Sequence, residues 1–449
     1  MARAAPSDSP ARHADARRAF IVVGLLALVV RALVVGLHLD DLAWGADGIG
    51  LGAELGSIAH NIVEGRGFSS PFGPGSEPTA WIAPAVPWLW ALFFQVFGAF
   101  TQASLIAVLS FQVLSGALAC AVLAHIARRL IERIPGAPAH SSALCAGVLI
   151  FWPESLEQIT KSLWYFPLQE LVLAWMFLEG LRWLDQPVPR HAFRLSFTAG
   201  MLALVHPGGL PFFGVLLLIP LLKRQTHIAV PVAAGGLCLL IMLPWTLRNL
   251  TVMHAWIPVR SNFGVELLQG NGPRAALIQQ RDSQHPAVDP VERERYLRLG
   301  EIEYMRLAQE EALACIRADL GRFALLSADR MQLYWLGDVL ERWPWTPRPP
   351  WWENGFSAIF MRSLRIACMW APALLLLWAL ISGAWRAVPS AGPLLALIVL
   401  LPLPYYFTHV QMAYSYAIRP YVILLVLLAL IASAARRRGR PPQATLATP

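Results

Sequence analysis

The sequence predicts an all-α polytopic membrane protein: about ten transmembrane helices with two large outer regions that contain juxtamembrane helices. Three observations predict it. Of 449 residues, 56% are hydrophobic and only 14% charged, against roughly 25% charged in soluble domains. The mean hydropathy is +0.51. Apolar runs recur along the whole chain, and basic clusters fall at alternate ends of them. The 18 Trp residues suit long membrane–water boundaries, where amphipathic rings settle.

In chain order the spans fall at about 19–38, 103–127, 140–153, 164–184, 196–207, 209–222, 228–247, 364–385, 390–407 and 418–435. A basic tail, 1–18, with Arg17 and Arg18, precedes the first span. That span runs into His38-Leu39-Asp40-Asp41 without a small-x-small cleavage site, so it reads as retained rather than as a cleaved signal peptide. Starting from a cytoplasmic N-terminus, the inner clusters are Arg128-Arg129-Arg133, Arg190-Arg194, Lys223-Arg224, Arg386 and, in the tail 436–449, Arg436-Arg437-Arg438-Arg440. Glu132 and Asp185 are the acids in those loops. The net charge of +8 is therefore a topology signal, and nucleic-acid binding is excluded. Residues 84–98, PAVPWLWALFFQVFG, are apolar enough to span, but a span here would place Arg128, Arg129 and Arg133 outside. They are read as a re-entrant or interfacial helix.

The chain thus divides into a transmembrane part, 19–247, that includes the first outer loop, 39–102, then a large outer helical loop, 248–363, and the final spans, 364–435. Short outer loops remain at 154–163, His206-Pro207-Gly208 and 408–417. In the second outer region Asp289-Pro290-Val291-Glu292 spells an N-cap, a first-turn proline and a capping glutamate. An amphipathic run over 291–318 follows, carrying Leu299, Ile302, Leu313 and Ile316. Gly321 is expected to break it before a second helix through Phe323, Leu326, Arg330 and Trp335. Residues 343–355, WPWTPRPPWWENG, read as an aromatic strip at the headgroups.

The polar mass lies outside the bilayer, so the chemistry belongs there. Glu54 sits on a short glycine-punctuated helix, GAELGSIAHNIVEGRG, whose polar face includes Ser57, His60, Asn61 and Glu64. A juxtamembrane carboxylate that is partly desolvated gains a raised pKa and can serve as a general base. Asp47 is its rival, with Asp40 and Asp41 nearby. Glu154, Glu157 and Lys161 form a second charged set on the loop 154–163. Arg248 and Asn249 end the seventh span, and Arg260, Asn262, Glu266 and Asn271 follow. Two arginines with amides between them can fork onto a phosphate or simply anchor headgroups. Arg419 is another phosphate candidate, with His409 and Tyr414 close in sequence. Arg31, inside the first span, reads as a buried pair or a snorkelling side chain.

Several chemistries lack any sequence support. There is no HExxH or comparable histidine spacing, so no metal site is assigned, and neither a P-loop nor GxSxG occurs. Of Cys120, Cys145, Cys238, Cys315 and Cys368, four fall in apolar segments, and no CxxC exists.

Six pieces between residues 53 and 420 carry a resemblance: AELGSIAHNIVEGRGFSSPFG, PTAWIAPAVPWLWALFFQVFG, PWTLRN, PVRSNFGVELLQGN, HPAVDPVERERYLRLGEIEY and LPYYFTHVQMAYSYAIRP. In this order they resemble the GT-C class of integral-membrane glycosyltransferases, which includes protein O-mannosyltransferases and the aminoarabinose transferases of lipid A. The likeness is nearest to a bacterial dolichyl-phosphate-mannose-protein mannosyltransferase-like branch. It implies a catalytic acid in the first outer loop, an inverting transfer from a polyprenyl-phosphate-linked sugar, and a protein, glycan or lipid acceptor. It also implies a bacterial inner membrane with the active site facing the periplasm. No cofactor is required, although some members of the class use a divalent cation. The acid carries over to Glu54, with a departure: the family's acidic pair stands seven or eight residues before Ile-Ala, where this chain has Gly50 and Leu51. Pro84-Ala85-Val86-Pro87 replaces a Pro-Pro-x-Tyr-Pro type segment, and Ala413-Tyr414 replaces Arg-Tyr. On this reading Arg248, Arg260 or Arg419 holds the phosphate, while Glu157 and Lys161 orient sugar or acceptor. The alternatives are a non-catalytic scaffold of an envelope assembly complex and a lipid or solute transporter. The latter is disfavoured because no internal repeat is found.

Overall fold

The computed structural model describes residues 10–39, 42–44, 53–161, 163–277, 284–337 and 356–438. Asp40, Asp41, Asp47 and the aromatic strip 343–355 lie outside them. The described residues are helical almost throughout, with one antiparallel bridge between Ser69 and Pro78 as their β pairing.

Helix α1 (Pro10–Leu37) packs along α4 (Gln102–Ile131). Between them in sequence, α2 (Ala53–Val63) and α3 (Ala85–Phe97) pack on each other. Helices α5 (Ser141–Phe151) and α6 (Pro153–Lys161) lead into α7 (Phe166–Asp185), α8 (Pro189–Val205), α9 (Leu210–Leu222) and α10 (Ala229–Met253). The second outer region supplies α11 (Phe263–Asn271), α12 (Pro290–Leu299), α13 (Glu301–Ala318) and α14 (Leu320–Leu336). The chain returns through α15 (Phe356–Ile381), α16 (Ala391–Leu400), α17 (Leu403–Phe407) and α18 (Arg419–Arg438).

Four helices among the described residues are long and apolar enough to cross a membrane: Ala14–Leu37, Gln102–Ile131, Ala229–Met253 and Arg419–Arg438. The other apolar helices are shorter, α3 among them. Its 13 residues rise about 20 Å, well short of a hydrocarbon core of about 30 Å. Apolar side chains face outward on α1 (Val22, Leu25, Val29, Leu33) and α10 (Val232, Leu239, Leu240). So broad an apolar surface belongs against lipid.

Local signals set several helix ends. Asp289 accepts hydrogen bonds from the Val291 and Glu292 amides and starts α12. The amphipathic run is two helices rather than one, because Gly300 turns the chain at φ +74°, a conformation cheap for glycine. The next break falls at Asp319 instead of Gly321. The Asp319 carboxylate accepts from the Arg322 amide at 2.8 Å, satisfying a donor that the new helix would otherwise leave orphaned.

The core has two layers. The bundle layer joins Leu123, Phe177, Phe212, Leu397, Tyr421 and their neighbours. An outer layer joins Leu55, Ile58, Trp81, Trp90, Tyr296 and Tyr304, so both outer regions share one apolar interior. Inside the bundle Arg31 is only 1% exposed. It donates to Ser155 Oγ at 2.8 Å and Cys120 Sγ at 2.9 Å and lies within electrostatic reach of Glu170, so it is buried rather than snorkelling.

Two glycines let the outer layer close. A Cβ on Gly264 would collide with the Met305 carbonyl, and one on Gly270 with the Thr408 carbonyl. Gly270→Ala is expected to lower the thermal midpoint in detergent by several degrees, since overpacking costs about 1–3 kcal/mol. Gly214→Ala, inside α9 and facing open space, should leave the midpoint unchanged or raise it slightly. Equal midpoints for the two variants would refute this close packing.

Candidate active site

The first outer loop is shaped by one amide. Asn61, on α2, donates from Nδ2 to the carbonyls of Ser69, Ser70 and Gly73 at 3.0–3.1 Å, and its Oδ1 accepts from Arg66 Nε at 2.7 Å. Gly65 and Gly67, both at positive φ, allow the turn that this hub requires. The loop then returns as Thr79–Ala80, where two staples fasten it. Arg248 donates to the carbonyls of Thr79 at 2.7 Å and Phe68 at 2.6 Å, its guanidinium 4.9 Å from the Trp245 ring centre. Glu301 accepts from Thr79 Oγ1, Ala80 N, Ser261 Oγ and Tyr296 OH. Burial pushes the Glu301 carboxyl up and those donors pull it down. The two outer regions, more than 200 residues apart in sequence, are joined at this carboxylate.

The adjacent Trp81 hydrogen-bonds Glu54, which α2 presents inward and buries. His285 Nε2 lies 3.3 Å from Glu54 Oε1. The Ala287 amide donates to His285 Nδ1 at 3.1 Å, so the neutral ring carries its proton on Nε2, beside the carboxylate. Phe72 and Trp81 pack edge-on to the same imidazole at 5.9 and 5.3 Å. Burial pushes Glu54 up to about 7, with Arg260 pulling it down and Glu266 pushing it further up. Burial also pushes His285 down to about 4, so at neutral pH the imidazole is uncharged while the carboxyl is poised between its two forms.

Arg260 completes the group. Its Nε donates to the Trp81 carbonyl at 3.3 Å, it hydrogen-bonds Tyr165, and Glu266, Tyr405 and Tyr414 lie within its electrostatic reach. Glu266 accepts from Asn262 Nδ2 at 2.8 Å. Tyr405 and Tyr414 stack at 4.8 Å, and His206 lies over Tyr165 at 5.2 Å. A buried carboxyl poised near neutrality and a guanidinium thus lie within electrostatic reach of each other, with tyrosines beside them. Such a pair can take a proton from a hydroxyl and stabilise an anion.

The tertiary structure sorts the expected residues. Glu54, Arg260, Asn262 and Glu266 come together. Arg248 is bound to the Thr79 and Phe68 carbonyls, away from this group, and the Asn249 amide donates to the Ile257 carbonyl at 2.9 Å. Asn271 spans to the Phe407 carbonyl and accepts from Arg330. Arg419, only 2% exposed, donates to the Met369 and Tyr334 carbonyls and stands 3.6 Å from Glu154. His409 is buried edge-on to Tyr414 at 6.3 Å. Glu157 lies on α6 and is partly buried; of Lys161 only the helical backbone is described. Asp47 lies outside the described residues. Sequence reasoning missed His285, Trp81 and Glu301. No local signal marks His285, Trp81 is one of 18 tryptophans, and Glu301 is one of several acids in the amphipathic run over 291–318. Among the described residues no three His, Cys, Asp or Glu side chains stand together as a metal site.

On the far side of the Thr79–Ala85 return, an apolar crevice of about 500 Å³ opens between α8 and α10. It is lined by Phe68, Pro84, Trp88, Leu204 and Trp245, with Arg248 at its edge.

No family model and no curated protein matches this chain. Among solved structures, it is similar to the oligosaccharyltransferase of Archaeoglobus fulgidus in its apo form, with 15% sequence identity and a TM-score of 0.46. The match covers 92% of this chain and 50% of that one, so the chain spans half the length of the protein it matches.

Proposed function

We propose that this chain is a membrane glycosyltransferase that moves a sugar from a polyprenyl-phosphate carrier to an acceptor hydroxyl on the outer face of a bacterial inner membrane. The observation that carries the reading is a buried Glu54, raised to about 7, that lies within electrostatic reach of Arg260 in the outer layer. Glu54 takes the acceptor's proton as its oxygen attacks the anomeric carbon. The bond from that carbon to the phosphate oxygen breaks, and the configuration inverts. The leaving group is a lipid phosphate whose negative charge falls to Arg260. Arg248 is reassigned from phosphate ligand to loop staple, because its donors are held by backbone carbonyls. The apolar crevice beside it offers room for part of a prenyl chain, and the stacked Tyr405 and Tyr414 offer flat faces with polar tips for a sugar ring. No cofactor is needed for this chemistry; a divalent cation is a variable of the assay.

The test is turnover of a panel of polyprenyl-phosphate sugars by the protein in lipid nanodiscs, with crude envelope extract as acceptor, beside Glu54→Gln. Consumption of one donor by the wild type alone supports the reading. No turnover by well-folded protein would sink it and favour a scaffold.

A pH profile follows from the same geometry. The base must be ionised, so kcat/KM is expected to fall as pH drops through about 7. In His285→Ala the carboxylate loses the N–H beside it, and the acid limb should move to higher pH. An unmoved limb would assign His285 to packing alone.

A further inference from the structure

A second cavity lies at the other end of the bundle, where Arg128, Arg129 and Arg133 gather and where Asp185 accepts from Arg129 and Arg133. It is a crevice of about 560 Å³ between the end of α7 and the start of α8, lined by Trp175, Glu179, Arg182, Phe193, Arg194 and Phe197. Nothing in the proposed transfer uses it.

The lining is divided by chemistry. Trp175, Phe193 and Phe197 form one wall and are 43%, 39% and 45% exposed; Trp175 meets Phe197 edge-on at 6.4 Å. Rings so open, on a bundle whose other outward faces are apolar, belong against acyl chains. Arg182 and Arg194 supply the cationic side. Glu179 is buried and binds Arg182 through one oxygen, fixing that guanidinium in place. Arg194 is exposed; its carbonyl accepts from Thr198 Oγ1, and among the described residues its guanidinium makes no hydrogen bond or ion pair. The lining therefore carries two cations and one carboxylate, a surplus of one positive charge beside an apolar wall. Two guanidiniums on neighbouring helices match the forked geometry of a phosphodiester. The rings demand a hydrocarbon attached to it, which a free phosphate lacks.

We propose that this crevice holds one anionic phospholipid, its phosphodiester between Arg182 and Arg194 and its chains over Trp175, Phe193 and Phe197. The single surplus charge matches a headgroup of charge minus one, such as phosphatidylglycerol, better than a zwitterionic one. The inference stands whether or not the chain transfers sugar.

The test is native mass spectrometry of the full chain released from nanodiscs containing equal phosphatidylglycerol and phosphatidylcholine, with inorganic phosphate as a competitor. The wild type is expected to retain one phosphatidylglycerol in preference to phosphatidylcholine, and phosphate should not displace it. Arg194→Gln should weaken that retention about fivefold, the worth of one basic residue at an anionic surface. Arg190→Gln, outside the crevice lining, should not change it, and Arg194→Lys should restore most of the retention. Equal retention of both lipids, full retention in Arg194→Gln, or displacement by phosphate alone would each overturn the proposal.

Discussion

Glu54→Gln is expected to lower the rate of sugar transfer roughly 10²- to 10⁴-fold, the range for loss of a positioned general base, without unfolding the protein. The amide keeps the shape of the side chain and its hydrogen bond to Trp81 but accepts no proton. Stability should move the other way. The folded-state pKa of Glu54 is about 7 against an ordinary 4.5. Its favourable contribution is therefore full below about 4.5 and is lost as pH rises through about 7. Above that point the ionised carboxylate costs the fold on the order of 3 kcal/mol, a cost the neutral amide removes. At pH 8 the variant is thus expected to be inactive and to melt at least as high as the wild type. A variant that is equally active would remove Glu54 from the chemistry. One that melts far lower would make it a structural acid.

The second large effect belongs to Arg260→Ala. Removing a preorganised cation from the leaving phosphate is expected to cost about 10²- to 10³-fold in kcat. The pH profile separates this role from simple packing. Arg260 lowers the Glu54 pKa electrostatically, so its loss should carry the acid limb to higher pH along with the fall in rate. Arg260→Lys keeps the charge and loses the planar fork; it should restore the limb while recovering only part of the rate. A drop in kcat with an unmoved limb would mean that Arg260 does not act on Glu54. By contrast, Arg248→Ala should lower thermal stability first, because it frees the carbonyls of Phe68 and Thr79.

The three arginines show how far the sequence reaches. Arg248, Arg260 and Arg419 look alike in one dimension, each at the outer side of an apolar helix. The tertiary structure separates them by what surrounds each guanidinium. Arg248 and Arg419 each give two or more bonds to backbone carbonyls, and Arg419 also stands 3.6 Å from Glu154. Arg260 instead gives one bond to the Trp81 carbonyl and otherwise lies within reach of Glu266, Tyr165, Tyr405 and Tyr414. Glu301 shows the converse. As one acid among many in an amphipathic run it reads as a surface residue, yet it is the clasp between the two outer regions.

By itself the sequence determined the helical class, the apolar surface, the polar mass placed outside the apolar runs and the Asp289 cap, and it singled out Glu54 as the candidate acid. These depend on local composition and periodicity, which act over a few turns of helix. Only the tertiary structure decided that His285 stands beside Glu54, that Arg260 alone of the three arginines joins it, and that the carboxyl rises to about 7. A pKa and a guanidinium's choice of partners are set by desolvation and charge within a few ångströms, and here those neighbours come from segments more than 200 residues apart in the chain.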